Sequence, residues 1–244
     1  MAPTEEAEEA AARLGAIRTR IAAACRRAGR DGGEVVLVGA SKGQPAALLA
    51  AFVQAGLTVL GENRVQEGLA KRRELPAGLE WHLIGPLQSN KVRAALELFR
   101  IVHSIDRVKI AEALDREAGR LGVALAGLLE VNLGLEQSKH GFAPQGLAAA
   151  IRPLAALEHL RIVGLMAIPP AAPVAPAAEQ SRPWFRRLRE LRDELRGRAE
   201  WAGFPGWLSM GMSDDFEIAI EEGATHVRVG TALFGPRPPL PMLR

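Results

Sequence analysis

Residues 31–56 read Asp-Gly-Gly-Glu-Val-Val-Leu-Val-Gly-Ala-Ser-Lys-Gly-Gln-Pro-Ala-Ala-Leu-Leu-Ala-Ala-Phe-Val-Gln-Ala-Gly. Val35 to Ala40 is a continuous apolar run between the Asp31-Gly32-Gly33 turn signal and Ser41, the pattern of a strand buried on both faces. Pro45 then opens a helical spacing, Leu48, Leu49, Phe52 and Val53, which Gly56 closes. Proline in the first turn and glycine past the last are the usual ends of a helix. The stretch is one βα unit.

The same alternation continues outward. Expected strands at Thr58–Leu60, Glu80–Ile84 and Ile101–Ser104 lead into helices over 64–73, 90–98 and 107–121. Leu128–Leu133 precedes a helix around 144–157, and Arg161–Met166 precedes a long helix over 182–201. Trp207–Met210 leads into a helix over 214–222, and Thr225–Val229 precedes a short terminal segment. Strands separated by helices need parallel crossovers, and closing eight of them removes both sheet edges. The economical fold is a single (β/α)8 TIM barrel with an extra N-terminal helix. Its parts are residues 1–30 for the helix and 35–235 for the barrel, in one domain spanning 1–244. Periodicity does not report closure, so an open doubly wound sheet is the competing arrangement. The alanine- and proline-rich segment 169–178 sits inside a βα unit and reads as a rim loop, not a linker.

The composition excludes several classes. The 244 residues are 48% hydrophobic and 24% charged, an ordinary globular balance. The net charge is +3, and the arginines of 182–198 are interleaved with acids, which reads as a salt-bridged helix face and not as a nucleic-acid surface. Cys25 is the single cysteine, so there is no internal disulfide and no cysteine pair for a metal. The segment 4–10 carries four glutamates where a secretory signal would be basic and then apolar. The uncharged run 162–178 contains Pro169, Pro170, Pro173 and Pro176, which argues against a membrane helix. A cytoplasmic monomer without metal, membrane or nucleic-acid partners is expected.

In such a barrel, the loops after the strands form the rim that carries ligands. The uncommon residues collect there: Ser41-Lys42, Glu62-Asn63, His103-Ser104, Asn132, Met166, Ser209 to Ser213 and Gly230-Thr231. Lys42 directly follows an apolar strand. Desolvation would lower its pKa and make the amine a nucleophile able to form a Schiff base, while the plain alternative is a lysine that snorkels into solvent. Ser209, Gly211 and Ser213 after strand seven, with Gly230 and Thr231 after strand eight, offer small residues and hydroxyls suited to phosphate, though such residues are also common in turns. Arg228 alternates with Val227 and Val229 and so points the other way; a buried guanidinium there needs a partner. His82 and His103 read as satisfied core histidines, and the carboxylates show no catalytic pairing by spacing.

Several motifs together carry a resemblance. They are Gly39-Ala40-Ser41-Lys42, Gly61-Glu62-Asn63, the run from Trp81 to Lys91, His103-Ser104-Ile105-Asp106, Gly164 to Pro170, Leu208 to Asp215 and Val227 to Gly235. In combination they closely resemble the pyridoxal phosphate homeostasis protein family. The resemblance implies a barrel like the N-terminal domain of alanine racemase, with pyridoxal 5′-phosphate (PLP) held covalently as an internal aldimine on Lys42. It implies further that Ser209, Gly211, Ser213, Gly230 and Thr231 surround the phosphate, that Arg228 faces the pyridine nitrogen, and that Asn63 and Met166 line the pocket. Two departures lie beside that pocket. Gly43-Gln44 stand where the family usually has threonine or valine and another lysine, and Arg64 stands where an aromatic is usual.

The chain contains no tyrosine. The two-domain racemases use a lysine and a tyrosine on opposite faces of the substrate, so that mechanism is excluded here. Three readings follow. The first is a non-catalytic binder taking part in vitamin B6 homeostasis, with PLP-dependent apoenzymes as recipients of the cofactor. The second is a single-domain enzyme of low amino-acid racemase activity with Lys42 as its base. The third is a phosphate-binding barrel for a sugar or nucleotide, using Lys42 only as a cation.

Overall fold

The computed structural model describes residues 5–170, 178–201 and 203–237. Most of the expected rim loop at 169–178 therefore lies outside the described residues. Eight parallel strands close into a barrel in sequence order. They are β1 (Val36–Ala40), β2 (Val59–Glu62), β3 (Glu80–Leu83), β4 (Ile101–Ile105), β5 (Leu125–Glu130), β6 (Leu160–Met166), β7 (Trp207–Ser209) and β8 (His226–Val229). Closure is made by β1 against β8, with Val36 opposite His226 and Val38 opposite Arg228. The sheet thus has no edge, and the open alternative is excluded.

The helices are α1 (Glu5–Arg27), α2 (Ala46–Gln54), α3 (Val65–Arg72), α4 (Val92–Ala95), α5 (Val108–Leu121), α6 (Leu147–Ala155), α7 (Arg182–Arg196), α8 (Phe216–Glu221) and α9 (Thr231–Phe234). None among the described residues is long and apolar enough to cross a membrane. The extra helix α1 lays Leu14, Ile17, Ile21 and Cys25 onto the shell. Arg20 pairs with Glu217 and Arg27 with Glu221, tying α1 to α8. Arg182 bridges Glu179, Glu221 and Glu222, so the arginines of α7 that open this stretch are held in ion pairs with neighbouring acids.

Side chains alternate along each strand, one set toward the helices and one toward the lumen. Leu60, Leu83, Val102, Leu129, Leu165, Leu208 and Val227 join the large core between barrel and helices. Two smaller apolar clusters fill parts of the lumen: Val38, Val59 and Ile84 on one side, Leu128, Val163 and Met166 on the other. Between them the lumen is polar. His82, His103, Ser209, His226 and Arg228 are all buried. Barrel interiors are ordinarily filled by branched aliphatics, so this departure marks chemistry or a specific structural device.

Several boundaries differ from the sequence expectation. β5 begins at Leu125 and ends at Glu130, three residues earlier than its apolar run suggests. Gly127 is the reason, because it lets Ile105 pack where a side chain would stand, and a glycine inside a strand weakens the periodic signal. Asn132 consequently lies past the strand, its amide donating to the Glu136 carbonyl. The helix expected over 90–98 is a 3-10 turn, Ser89–Lys91, followed by the single turn α4. Arg100 donates to the carbonyls of Leu96 and Phe99, satisfying the groups that would otherwise continue the helix. α7 stops at Arg196 before Gly197, and Trp201 folds back onto Phe204.

Close approach of β6 and β7 requires Gly164, where a Cβ would be driven into the Trp207 carbonyl. Gly164→Ala is expected to cost about 2–3 kcal/mol by forcing the ladder apart. Thermal unfolding should show a midpoint lower by at least roughly 5 °C; an unchanged midpoint would contradict this packing.

Candidate functional site

Lys42 sits in the turn between β1 and α2, half-buried at the carboxyl end of the barrel. Among the described residues its amine has no hydrogen-bond or ion-pair partner. Burial, then the positive charges of Arg237 and Arg228, pull its pKa below the ordinary lysine value, with Glu62 acting in the opposite direction. An amine so placed is a better nucleophile at neutral pH than a surface lysine.

The turn that carries Lys42 is braced from below by a second lysine. Lys71 on α3 is buried and donates to Glu62 at 2.6 Å, to Glu67 at 2.8 Å and to the Ser41 carbonyl at 2.7 Å. The Ser41 hydroxyl donates to Glu62 at 2.7 Å, and the Gly43 amide donates to Glu67 at 2.6 Å. Burial raises the Glu62 pKa while hydrogen bonds from Lys71 and Ser41 oppose it. For Glu67 burial also acts upward, but the bonds from Lys71 and Gly43 outweigh it and the pKa falls. Gly43 adopts φ +70°, a conformation that favours glycine over the threonine or valine that the resemblance leads one to expect. Spacing could have found part of this network, since Glu67 and Lys71 are four apart on one helix. Glu62 could be added only by the fold.

Arg228 is only 4% exposed and has no ion pair among the described residues. It donates to the Ser209 hydroxyl at 2.6 Å and to the Ala167 carbonyl at 3.1 Å. Burial draws its pKa down to about 10 against the upward pull of Asp215 and Glu130, so it is cationic at neutral pH. Ser209 is also 2.7 Å from His103 Nδ1, His103 Nε2 is 2.9 Å from His82 Nδ1, and His82 Nε2 is 2.9 Å from Glu80. The two core histidines are thus tied to Arg228, a link that residue spacing does not reveal.

The expected phosphate residues separate into two groups. Ser213 Oγ accepts from the amides of Gly230, at 3.3 Å, and Ala232, at 3.1 Å, so these groups meet at the rim beside Thr231. Gly211 has φ +90°, and a Cβ there would lie 2.5 Å from Ala219; its carbonyl accepts from the Arg228 amide. Ser209 does not join that cluster. Its hydroxyl points into the lumen and is committed to Arg228 and His103, because residue 209 is still on strand β7. Asp214, expected to begin the next helix, is exposed. Asp215 takes that place, accepting from the Met212 amide at 2.7 Å and from Ser181 at 2.8 Å.

Met166 ends β6 in the lumen cluster, near the same end. Asn63 follows β2, its backbone passing so close to Gly85 that a Cβ there would lie 2.5 Å from the Asn63 carbonyl. Beside Asn63 opens a cleft of about 560 Å³ lined in part by Arg64, Gln88, Lys91 and Arg107. Among the described residues no group of three or more His, Cys, Asp or Glu is arranged to hold a metal ion.

Residues 12–238 match the family described as alanine racemase, N-terminal domain. The chain is 46% identical over 226 residues to the pyridoxal phosphate homeostasis protein of Aquifex aeolicus, covering 92% of this chain and 97% of that one. It is 47% identical over 222 residues to the protein of the same name in Pseudomonas aeruginosa, covering 91% and 93%. The structure of PipY from Synechococcus elongatus with PLP bound superposes with a TM-score of 0.78 at 39% identity, covering 93% of this chain and all of that one.

Two outcomes follow from the buried charges. Lys71→Met leaves Glu62 buried without its cation and should cost about 3–5 kcal/mol in chemical denaturation; a loss below 1 kcal/mol would show that the network does not stabilise the turn. Burial lowers His103 well below its ordinary pKa and, with help from His82, takes His226 down to about 3. The folded state therefore binds fewer protons than the unfolded state below about pH 6.5, and the stability present above that pH is lost as pH falls toward the folded values. The expected slope is roughly 1.4 kcal/mol per pH unit for each buried histidine. Urea titrations at pH 7 and pH 5 check it, and equal stability at both would refute it.

Proposed function

The chain belongs to the pyridoxal phosphate homeostasis protein family, on the alanine racemase N-terminal-domain barrel, and from that premise we propose that it holds PLP covalently through Lys42. On this reading it is a cytoplasmic carrier that takes part in vitamin B6 homeostasis, passes the cofactor to PLP-dependent apoenzymes, and lacks strong catalysis. The observation that carries the proposal is the Lys42 amine itself: half-buried, without a partner among the described residues, and lowered in pKa at the mouth of a lumen that holds a cation.

The residues present fit the group. When bound, PLP supplies an aldehyde that condenses with a primary amine, and an aromatic ring that draws electrons from what is attached. Lys42 provides the amine, and its lowered pKa raises the neutral fraction able to attack. Ser213, Gly230 and Thr231 provide hydroxyl and backbone groups for the phosphate, with Gly211 allowing the turn. Asn63 and Met166 line the pocket. Arg228, charged at neutral pH, keeps its protons on the guanidinium and does not give one to the ring nitrogen. An unprotonated ring is a weaker electron sink, which favours holding over turnover. Ser209 supports Arg228 in this scheme, its hydroxyl being engaged with Arg228 and His103.

The whole chain is proposed to act as one domain and as a monomer. The visible spectrum of the purified protein after addition of PLP, before and after borohydride, tests the binding. The expected result is a yellow band that borohydride abolishes, with the reduced adduct mapped to the Lys42 peptide and absent from Lys42→Ala. A colourless protein would return the site to a plain phosphate barrel. Amino-acid racemisation faster than with free PLP, and lost in Lys42→Ala, would establish the single-domain enzyme instead.

A further inference from the structure

We propose that Glu80, His82, His103 and Ser209 form a one-way hydrogen-bond chain through the barrel lumen that holds Arg228 in position at the cofactor site. The proposal rests on the PLP reading for what Arg228 faces, but the direction of the chain follows from this protein's own hydrogen-bond geometry and the charge at its two ends.

The two ends dictate that direction. A guanidinium can only donate, so Ser209 Oγ accepts from Arg228 at 2.6 Å. At the other end His82 holds the Glu80 carboxyl below the ordinary carboxylate range, so at neutral pH it is ionised and can only accept. His82 Nε2, at 2.9 Å, must then carry the proton. With His82 neutral, that one proton leaves its Nδ1 bare, and His103 Nε2 at 2.9 Å must donate to it. His103 is fully buried, and burial drives it to the neutral form. Its Nδ1 is therefore bare and accepts the Ser209 hydroxyl proton at 2.7 Å. With both rings neutral, every bond from Arg228 to Glu80 is satisfied in this one arrangement of protons; the reverse arrangement would set a bare nitrogen against a carboxylate unless His82 took up a second proton.

Glu80 is the first residue of β3 and lines a cavity of about 220 Å³ with Val36, Ile101, Trp207, Thr225 and His226, all at or near the amino ends of their strands. Lys42 and the phosphate cluster lie at the opposite end. Glu80 therefore does not touch the cofactor, and any effect it has on binding passes through the chain. Glu80, His82 and His103 are positioning residues. Replacing Glu80 by alanine puts water, which donates as readily as it accepts, where a pure acceptor stood.

The test is nitrogen-15 NMR of the imidazole rings in the cofactor-free protein at neutral pH, together with titration of wild type and Glu80→Ala by PLP. In wild type, His82 and His103 are expected to be protonated on Nε2 and bare on Nδ1. In Glu80→Ala, both tautomers should appear for His82 and His103, and PLP affinity should fall about fivefold, equivalent to about 1 kcal/mol. Removing a negative charge would by itself favour an anionic ligand, so a fall cannot be a long-range charge effect. A proton on His103 Nδ1 in wild type overturns the chain. Unchanged affinity in Glu80→Ala overturns the positioning role, whether or not the tautomers mix. If wild type takes up no PLP, the cofactor reading falls with that role, and the imidazole signals still decide the chain's direction.

Discussion

A positive charge sealed inside the barrel, without an ion pair among the described residues, sets the terms for the rest of the lumen. Arg228 is buried among strands that in most barrels would present branched aliphatics, and a guanidinium in such surroundings is tolerated only where acceptors meet it. Ser209 and the Ala167 carbonyl do so. Ser209 then needs an outlet for its own proton, His103 supplies one, and the requirement moves strand by strand to Glu80. The price of one buried cation is a polar lumen.

A second buried charge system keeps clear of the first. Lys71 binds Glu62 and Glu67, and through Lys71 and Glu67 the group reaches the backbone on either side of Lys42, so the turn is braced while the Lys42 amine has no partner among the described residues. The division matters chemically. A nucleophilic amine that also carried a structural ion pair would be held protonated by it, whereas here the structural cation is Lys71 and the reactive candidate is Lys42. Glu62 Oε2 is buried without a hydrogen-bond partner among the described residues, a loose end of this network.

The chain is similar over nearly all of its length to relatives that it covers almost end to end. Helix α1 closes the outside of the β8–β1 seam against α2, α8 and α9, and its arginines reach Glu217 and Glu221.

The alternation of apolar strand and amphipathic helix was legible from the Val35–Ala40 run outward, because periodicity is local and each βα unit carries its own start and stop signals. Lys42 was legible for the same reason, as a charge directly after a buried strand, and so were the small residues of the last two rim loops. Boundaries failed where tertiary contacts replaced local signals: Gly127 hid the start of β5, and Arg100 cut short the helix after β3. The partners of Arg228 were out of reach. Glu80, His82, His103 and Ser209 come from three strands distant in sequence, and only closure of the sheet places them in one lumen. Sequence determined which residues alternate inward; the tertiary structure decided which inward residues touch, because parallel register and barrel closure are set by packing across the whole sheet and not by any single segment.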